Sequence, residues 1–171
     1  MFKPGETIPR FAAVEAVEPD TLDIVWDDGR SQRVSLAGWI AANDLGPVFA
    51  GVRRFGDIRV IDYGTAIQWG EDDELTIDNL HVLMIGQEQQ ELSAGDIGKW
   101  QESMHVSNQE AADLIGVRVS TWHNYKSGET RIPKGTQIAL RAMLKDPVVF
   151  EAHYRPRRAG RPAKSGSGVS R

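Results

Sequence analysis

Near residue 86 the apolar residues of this chain change their period. Before that point they alternate; after it they recur every three or four residues. A period of two belongs to strands and a period of 3.6 to helices. The chain must therefore place a strand-rich part before a helical part. Charge divides at nearly the same place. Residues 1–90 hold 7 Lys and Arg against 16 Asp and Glu, a balance of −9, whereas residues 91–171 hold 13 against 8, a balance of +5. The formal net charge of −4 thus hides an acidic part and a basic part. Only the second would be drawn to a polyanion. A length of 171 residues suits two small domains, each with a modest core.

The first part reads as strands. Residues 10–18 are apolar-rich, and Leu22, Ile24 and Trp26 alternate against Asp23. Asp27-Asp28-Gly29-Arg30 is a hairpin turn, since Asp and Gly tolerate positive φ, and residues 32–36 are the return strand. Residues 36–43 switch to helical spacing, with Leu36, Trp39 and Ile40 on one face. Residues 57–62 and 65–69 are further strands, punctuated by Gly64 and Gly70, and residues 78–85 close the domain as a helix or an irregular apolar segment. The polar run Gly86-Gln87-Glu88-Gln89-Gln90-Glu91 reads as a linker, or as the first turn of the helix that follows it.

Several chemistries are excluded or unsupported. The chain has no cysteine, which removes disulfides, thiol catalysis and cysteine-based zinc sites. No apolar run approaches the roughly 18 residues a membrane span requires. Met1-Phe2-Lys3-Pro4-Gly5-Glu6 lacks a basic-then-apolar signal pattern. The expectation is a cytoplasmic protein without a membrane partner. Asp27-Asp28 and Glu71-Asp72-Asp73-Glu74 read as turn and loop chemistry, because a metal site needs convergent ligands and only His81 lies in this half. There is no Gly-rich phosphate loop and no Ser/His/Asp arrangement. The chain is expected to be no enzyme and to carry no cofactor or metal.

The second part holds a sharper signal. Ser107-Asn108-Gln109-Glu110 has the spacing of a capping box, in which Ser and Glu satisfy two free backbone N–H groups reciprocally. A short helix follows, with Ala111, Ala112 and Ile115 toward a core. Gly116 then supplies a tight turn, Val117 buries beneath it, and a second helix from about Val119 to Lys126 carries Trp122 and Tyr125. Trp100, Trp122 and Tyr125 read as core. Two short helices around such a turn match a helix-turn-helix.

In residues 107–128 the stretch resembles the lambda repressor/Cro-type DNA-binding domain, with matches at Ser107, Ala112, Ile115, Gly116, Val117, Thr121, Tyr125 and Gly128. Residues 92–100 resemble that fold's first helix and residues 133–144 its fourth. The resemblance implies double-stranded DNA as partner. It places Val119, Ser120 and Asn124 toward the major groove with His123 nearby, Asn108 at a polar contact position, and Arg118 and Thr121 among the DNA-binding residues. Asn124 would pair with adenine, and Lys126, Arg131 and Lys134 would hold phosphates. The recognition helix departs from the pattern in having no Arg or Gln at a reading position, and Arg118 stands where a capping Ser is usual. Shape would then carry much of the specificity. A helical bundle that binds only protein is the competing reading.

The tail, residues 155–171, is rich in Arg, Gly, Ser and Pro and is expected to be disordered. Gly160-Arg161-Pro162, with Arg158 and Lys164 alongside, resembles the AT-hook core, which lies in a narrow A·T minor groove. A solubilising tail with general phosphate attraction is the other reading.

Residues 10–85 resemble a bacterial domain family of unknown function, number 2442. The resembling stretches are Trp26-Asp27-Asp28-Gly29, Val34-Ser35-Leu36-Ala37-Gly38-Trp39, Phe55-Gly56-Asp57-Ile58-Arg59-Val60, Ile67-Gln68-Trp69-Gly70 and residues 75–81. Members occur alone or fused to helix-turn-helix domains, in regulatory or toxin–antitoxin settings.

The fold class expected is α+β. A small antiparallel α+β domain at 1–86 precedes a linker at 87–91, an all-α lambda-repressor-like domain at 92–154 and a basic tail at 155–171. The expected function is a DNA-binding transcriptional regulator acting as a homodimer through its N-terminal domain. The alternative is an antitoxin-like module whose main partner is a small basic protein.

Overall fold

Leu22, Ile24 and Trp26 alternate in the sequence, and the computed structural model turns all three inward. It describes residues 7–17, 19–50, 54–71 and 75–157. The chain divides into two compact units, Met1–Gln90 and Glu91–Arg171, and its class is α+β.

In the first unit, β1 (Phe11–Val17), β2 (Thr21–Trp26) and β3 (Ser31–Ser35) form an antiparallel sheet in the order β1-β2-β3. The expected hairpin turn is present, with Gly29 at φ 85° and the Arg30 amide donating to Asp28 Oδ1 at 3.0 Å. β4 (Ile58–Ile61), β5 (Ala66–Trp69) and β6 (Thr76–Asp78) form a second antiparallel sheet in the order β4-β5-β6. Phe11, Leu22, Ile24, Trp26, Val34 and Ile67 are among the residues that share one core with Trp69. α1 (Ala37–Ala42) packs Trp39 and Ile40 against it, as their spacing predicts. α2 (Gly46–Ala50) is an addition that the pattern did not signal; its Phe49 meets Phe55 and Trp69 edge-on, both at 5.5 Å.

α3 (Asn79–Gln89) takes up 87–89 of the expected linker, and the boundary between the units falls within that linker, between Gln90 and Glu91. The polar run at 86–89 is the last turn of this helix, neither free chain nor the start of the next one. The reason is a long-range contact. Gln89 bridges β3, accepting from the Ser35 amide at 2.9 Å and donating to the Ser35 carbonyl at 2.7 Å. Gly86 sits so close to β3 that a Cβ there would lie 2.4 Å from Gln32 Nε2. Gly86 is buried by that approach, while Gln87, Glu88 and Gln89 stay exposed on the helix.

The second unit is helical: α4 (Ala94–Met104), α5 (Asn108–Leu114), α6 (Val119–Ser127), α7 (Lys134–Lys145) and α8 (Pro147–His153). Ile97, Trp100, Ala111, Ala112, Trp122, Tyr125 and Leu140 lie in its core. Among the described residues no helix is long and apolar enough to cross a membrane.

Two left-handed glycines separate conformation from packing. Gly29 has φ 85° with nothing within 4 Å of an added Cβ, whereas Gly64 has φ 87° and a Cβ there would lie 2.7 Å from the Phe11 carbonyl oxygen. Gly29→Ala should cost only the left-handed penalty, about 1–2 kcal/mol. Gly64→Ala should cost clearly more, because the backbone of β1 must also move. Urea unfolding of the two variants checks this order.

Candidate functional site

The helical unit starts its first two helices with acid-assisted caps. The Ser93 hydroxyl accepts from the Asp96 amide at 3.2 Å, and the Asp96 carboxylate accepts from the Ser93 amide at 2.9 Å. The predicted box at α5 has the same form: the Ser107 amide donates to Glu110 at 2.9 Å, and the Ser107 hydroxyl accepts from the Glu110 amide at 3.3 Å. Each box satisfies N–H groups that a helix start leaves open. Ala111 and Ala112 then bury, and Gly116 turns the chain at φ 70°. The Val117 amide donates to the Ala112 carbonyl at 3.0 Å, closing the turn. Gly128, at φ 76°, ends α6.

α6 is fixed from its inner side. Trp122 and Tyr125 are buried, and the Trp122 ring meets Trp100 at 5.8 Å and 64°. The Trp100 indole donates to the Leu140 carbonyl at 2.9 Å, and Trp122 donates to Gln101 Oε1 at 3.0 Å. Ser120 and His123 are left exposed on α6, with Arg118 exposed at its N-cap. Val119 and Thr121 are half-buried.

Several residues that the resemblance assigns to DNA have partners inside the unit. The half-buried Lys126 donates to Gln101 Oε1 at 2.9 Å and to Asn108 Oδ1 at 3.1 Å. Arg131 is paired with Glu91. The Asn124 side-chain amide, oriented to satisfy both ends, donates to the Ser120 carbonyl at 3.1 Å and to Glu129 Oε2 at 3.3 Å. These partners lie 40 residues away for Arg131 and 18 and 25 for Lys126, so no local pattern announces them. Gln101, the hub of this network, escaped the sequence reading for the same reason. Lys134 stands exposed at the first position of α7.

The N-termini of α6 and α7 differ from those of α4 and α5. Neither has an acidic residue in its first turn or a side-chain cap, and each begins with a cation, Arg118 or Lys134. A cation at a helix N-terminus opposes the macrodipole, typically by about 0.3–1 kcal/mol. Open N–H groups at such an end suit an anion.

The start of the tail is anchored. Phe150 and Tyr154 stack at 4.8 Å, and Tyr154 donates its hydroxyl to Glu110 Oε1 at 2.9 Å. The Arg157 amide donates to the same oxygen at 3.1 Å, and its guanidinium donates to Asp113 at 2.8 Å. Arg158, Arg161 and Lys164 lie outside the described residues. Among the described residues there is no group of three or more His, Asp or Glu side chains arranged to hold a metal.

No family model matches the chain, and none of the curated proteins matches it. Among solved structures, the chain is similar to a Nitrosomonas europaea protein described as a "Putative DNA Binding Protein", with 22% identity and a TM-score of 0.41 over 80% of this chain and 86% of that one.

Glu110 links cap and tail through one titration. Hydrogen bonds from the Ser107 hydroxyl and amide, then from the Arg157 amide and the Tyr154 hydroxyl, hold its carboxyl down at about 2. A depressed carboxyl stabilises the fold above its unfolded value and loses that effect as pH falls toward the folded one. The Arg157 amide should therefore stay protected from hydrogen exchange at neutral pH and lose protection between about pH 4.5 and 2. Glu110→Gln should weaken that protection at neutral pH and flatten the acid transition.

Proposed function

We propose that the helical unit binds double-stranded DNA and that the protein is a DNA-binding regulator. The observation that supports this best is the pair of uncapped, cation-bearing helix starts at α6 and α7, in a unit whose other three helices begin with a carboxylate in the cap. Internal stability gives no reason for Arg118 and Lys134 at those positions. Phosphate groups would supply both the missing acceptors and the missing negative charge.

In this reading Arg118 and Lys134 hold the backbone and set register. Ser120 and His123 face the groove from α6, with Thr121 and Val119 beside them. Asn124 could pair with adenine only by releasing Ser120 and Glu129, which makes it a poor reader. With no arginine on the exposed face of α6 beyond its cap, discrimination would rest heavily on groove shape. The likeness to the lambda repressor/Cro-type domain in residues 107–128 supports the DNA-binding reading, and this assignment departs from it at Asn124, Lys126 and Arg131.

Titrating the full chain onto random genomic fragments across a salt series tests the proposal. Affinity should fall steeply with salt, and Lys134→Ala should lower the slope by about one while weakening all sequences alike. Binding that is unchanged between low and physiological salt would overturn it.

A further inference from the structure

We infer that Lys126 is a positioning residue: its ammonium locks α6 onto α4 and α5 through Gln101 and Asn108 and does not serve as a phosphate contact. The inference rests on the DNA-binding reading for its consequence, though the lock can be measured without DNA.

The network has one consistent arrangement. An indole N–H can only donate and a backbone carbonyl can only accept. Trp122 Nε1 lies 3.0 Å from Gln101 Oε1, and Gln101 Nε2 lies 3.0 Å from the Val106 carbonyl oxygen. The amide of Gln101 is therefore held the same way round at both ends. Its oxygen has a second lone pair, and Lys126 Nζ occupies it at 2.9 Å. A second ammonium proton goes to Asn108 Oδ1 at 3.1 Å. One side chain of α6 thus touches both preceding helices.

The position on the helix explains what the lock does. Trp122 and Lys126 are four residues apart and share a helix face. Trp122 fixes the middle of α6 to the core, and Lys126 fixes its last turn. Two anchors on one face prevent the helix from rolling about its own axis. The direction in which Ser120 and His123 point is set by that roll. An apolar residue at 126 would leave two half-buried amide oxygens each short of a donor. A lysine there also complements the C-terminal end of the helix, but any exposed position in the last turn would serve for that.

Lys126→Met, which keeps the stem and removes the charge, is compared with Gln101→Leu, Gln101→Glu and Lys134→Ala in the full chain. The first readout is hydrogen exchange of the Trp122 indole N–H by nuclear magnetic resonance. It should quicken in Lys126→Met and Gln101→Leu, and less in Gln101→Glu, which keeps both acceptor contacts but sets a carboxylate oxygen against the Val106 carbonyl. The second is affinity for a duplex selected from a randomised pool, measured across salt. Lys126→Met should bind roughly tenfold more weakly, the scale of one hydrogen bond to a charged group, with the salt slope unchanged. Adding Gln101→Leu to it should cost little more. A slope that falls by about one in Lys126→Met, as in Lys134→Ala, would make Lys126 a phosphate contact and overturn the inference while leaving the DNA reading intact. Unchanged indole exchange in Lys126→Met would overturn the lock directly. A parent chain that does not bind DNA would remove the functional reading, and the indole exchange would still decide the lock.

Discussion

Tryptophan is the largest side chain a core can hold, and it brings an N–H that cannot be left without an acceptor. Leaving one unsatisfied in a buried site costs about 1–3 kcal/mol. Both units of this protein are arranged around that requirement. Trp69 lies under Phe49 and Phe55 and donates to the Phe55 carbonyl at 2.8 Å. Trp100 uses the Leu140 carbonyl, which ties α4 to α7. Trp122 differs in using a side chain, Gln101, which itself needs support from Val106 and Lys126. The edge-on contact of Trp100 with Trp122 then holds α4 and α6 in one packing arrangement.

Charge in the basic half is less available than its +5 balance suggests. Arg131 and Arg157 face Glu91 and Asp113, and Lys126 faces two neutral amides. These are exposed or half-exposed contacts of small individual worth, so they bear on where a cation points far more than on stability. Arg118 and Lys134, at helix starts with no acid in the first turn, are presented differently. The useful quantity for a polyanion is the set of cations whose geometry is open, and that set is smaller than the count of basic residues.

What could be read from the residues was whatever depends on neighbours a few positions apart. The capping box at Ser107, the turn at Gly116, the hairpin at Gly29 and the inward face of β2 all rest on such spacing, and all are present. The contacts that went unread join distant positions. Gln89 meets Ser35 across 54 residues, at the end of a helix that runs into the predicted linker. Asn124 is the exception, since its partners, the Ser120 carbonyl and Glu129, are near in sequence and the resemblance still made it a base reader. Asp62 and Tyr63, both at positive φ without being glycine, form with Gly64 a short turn between β4 and β5 that spacing did not signal.

The carboxylate of Glu110 begins α5 and also holds residues 154 and 157. Because one side chain serves both, the natural edge of the helical unit is not the end of its last core helix. A piece cut after Lys145 would keep α4 to α7 complete, yet it would strip two donors from Glu110 and leave Asp113 without its guanidinium. The loss of partners more than forty residues downstream would thus surface at the first turn of α5. The smallest fragment that preserves that turn as it stands here ends no earlier than Arg157.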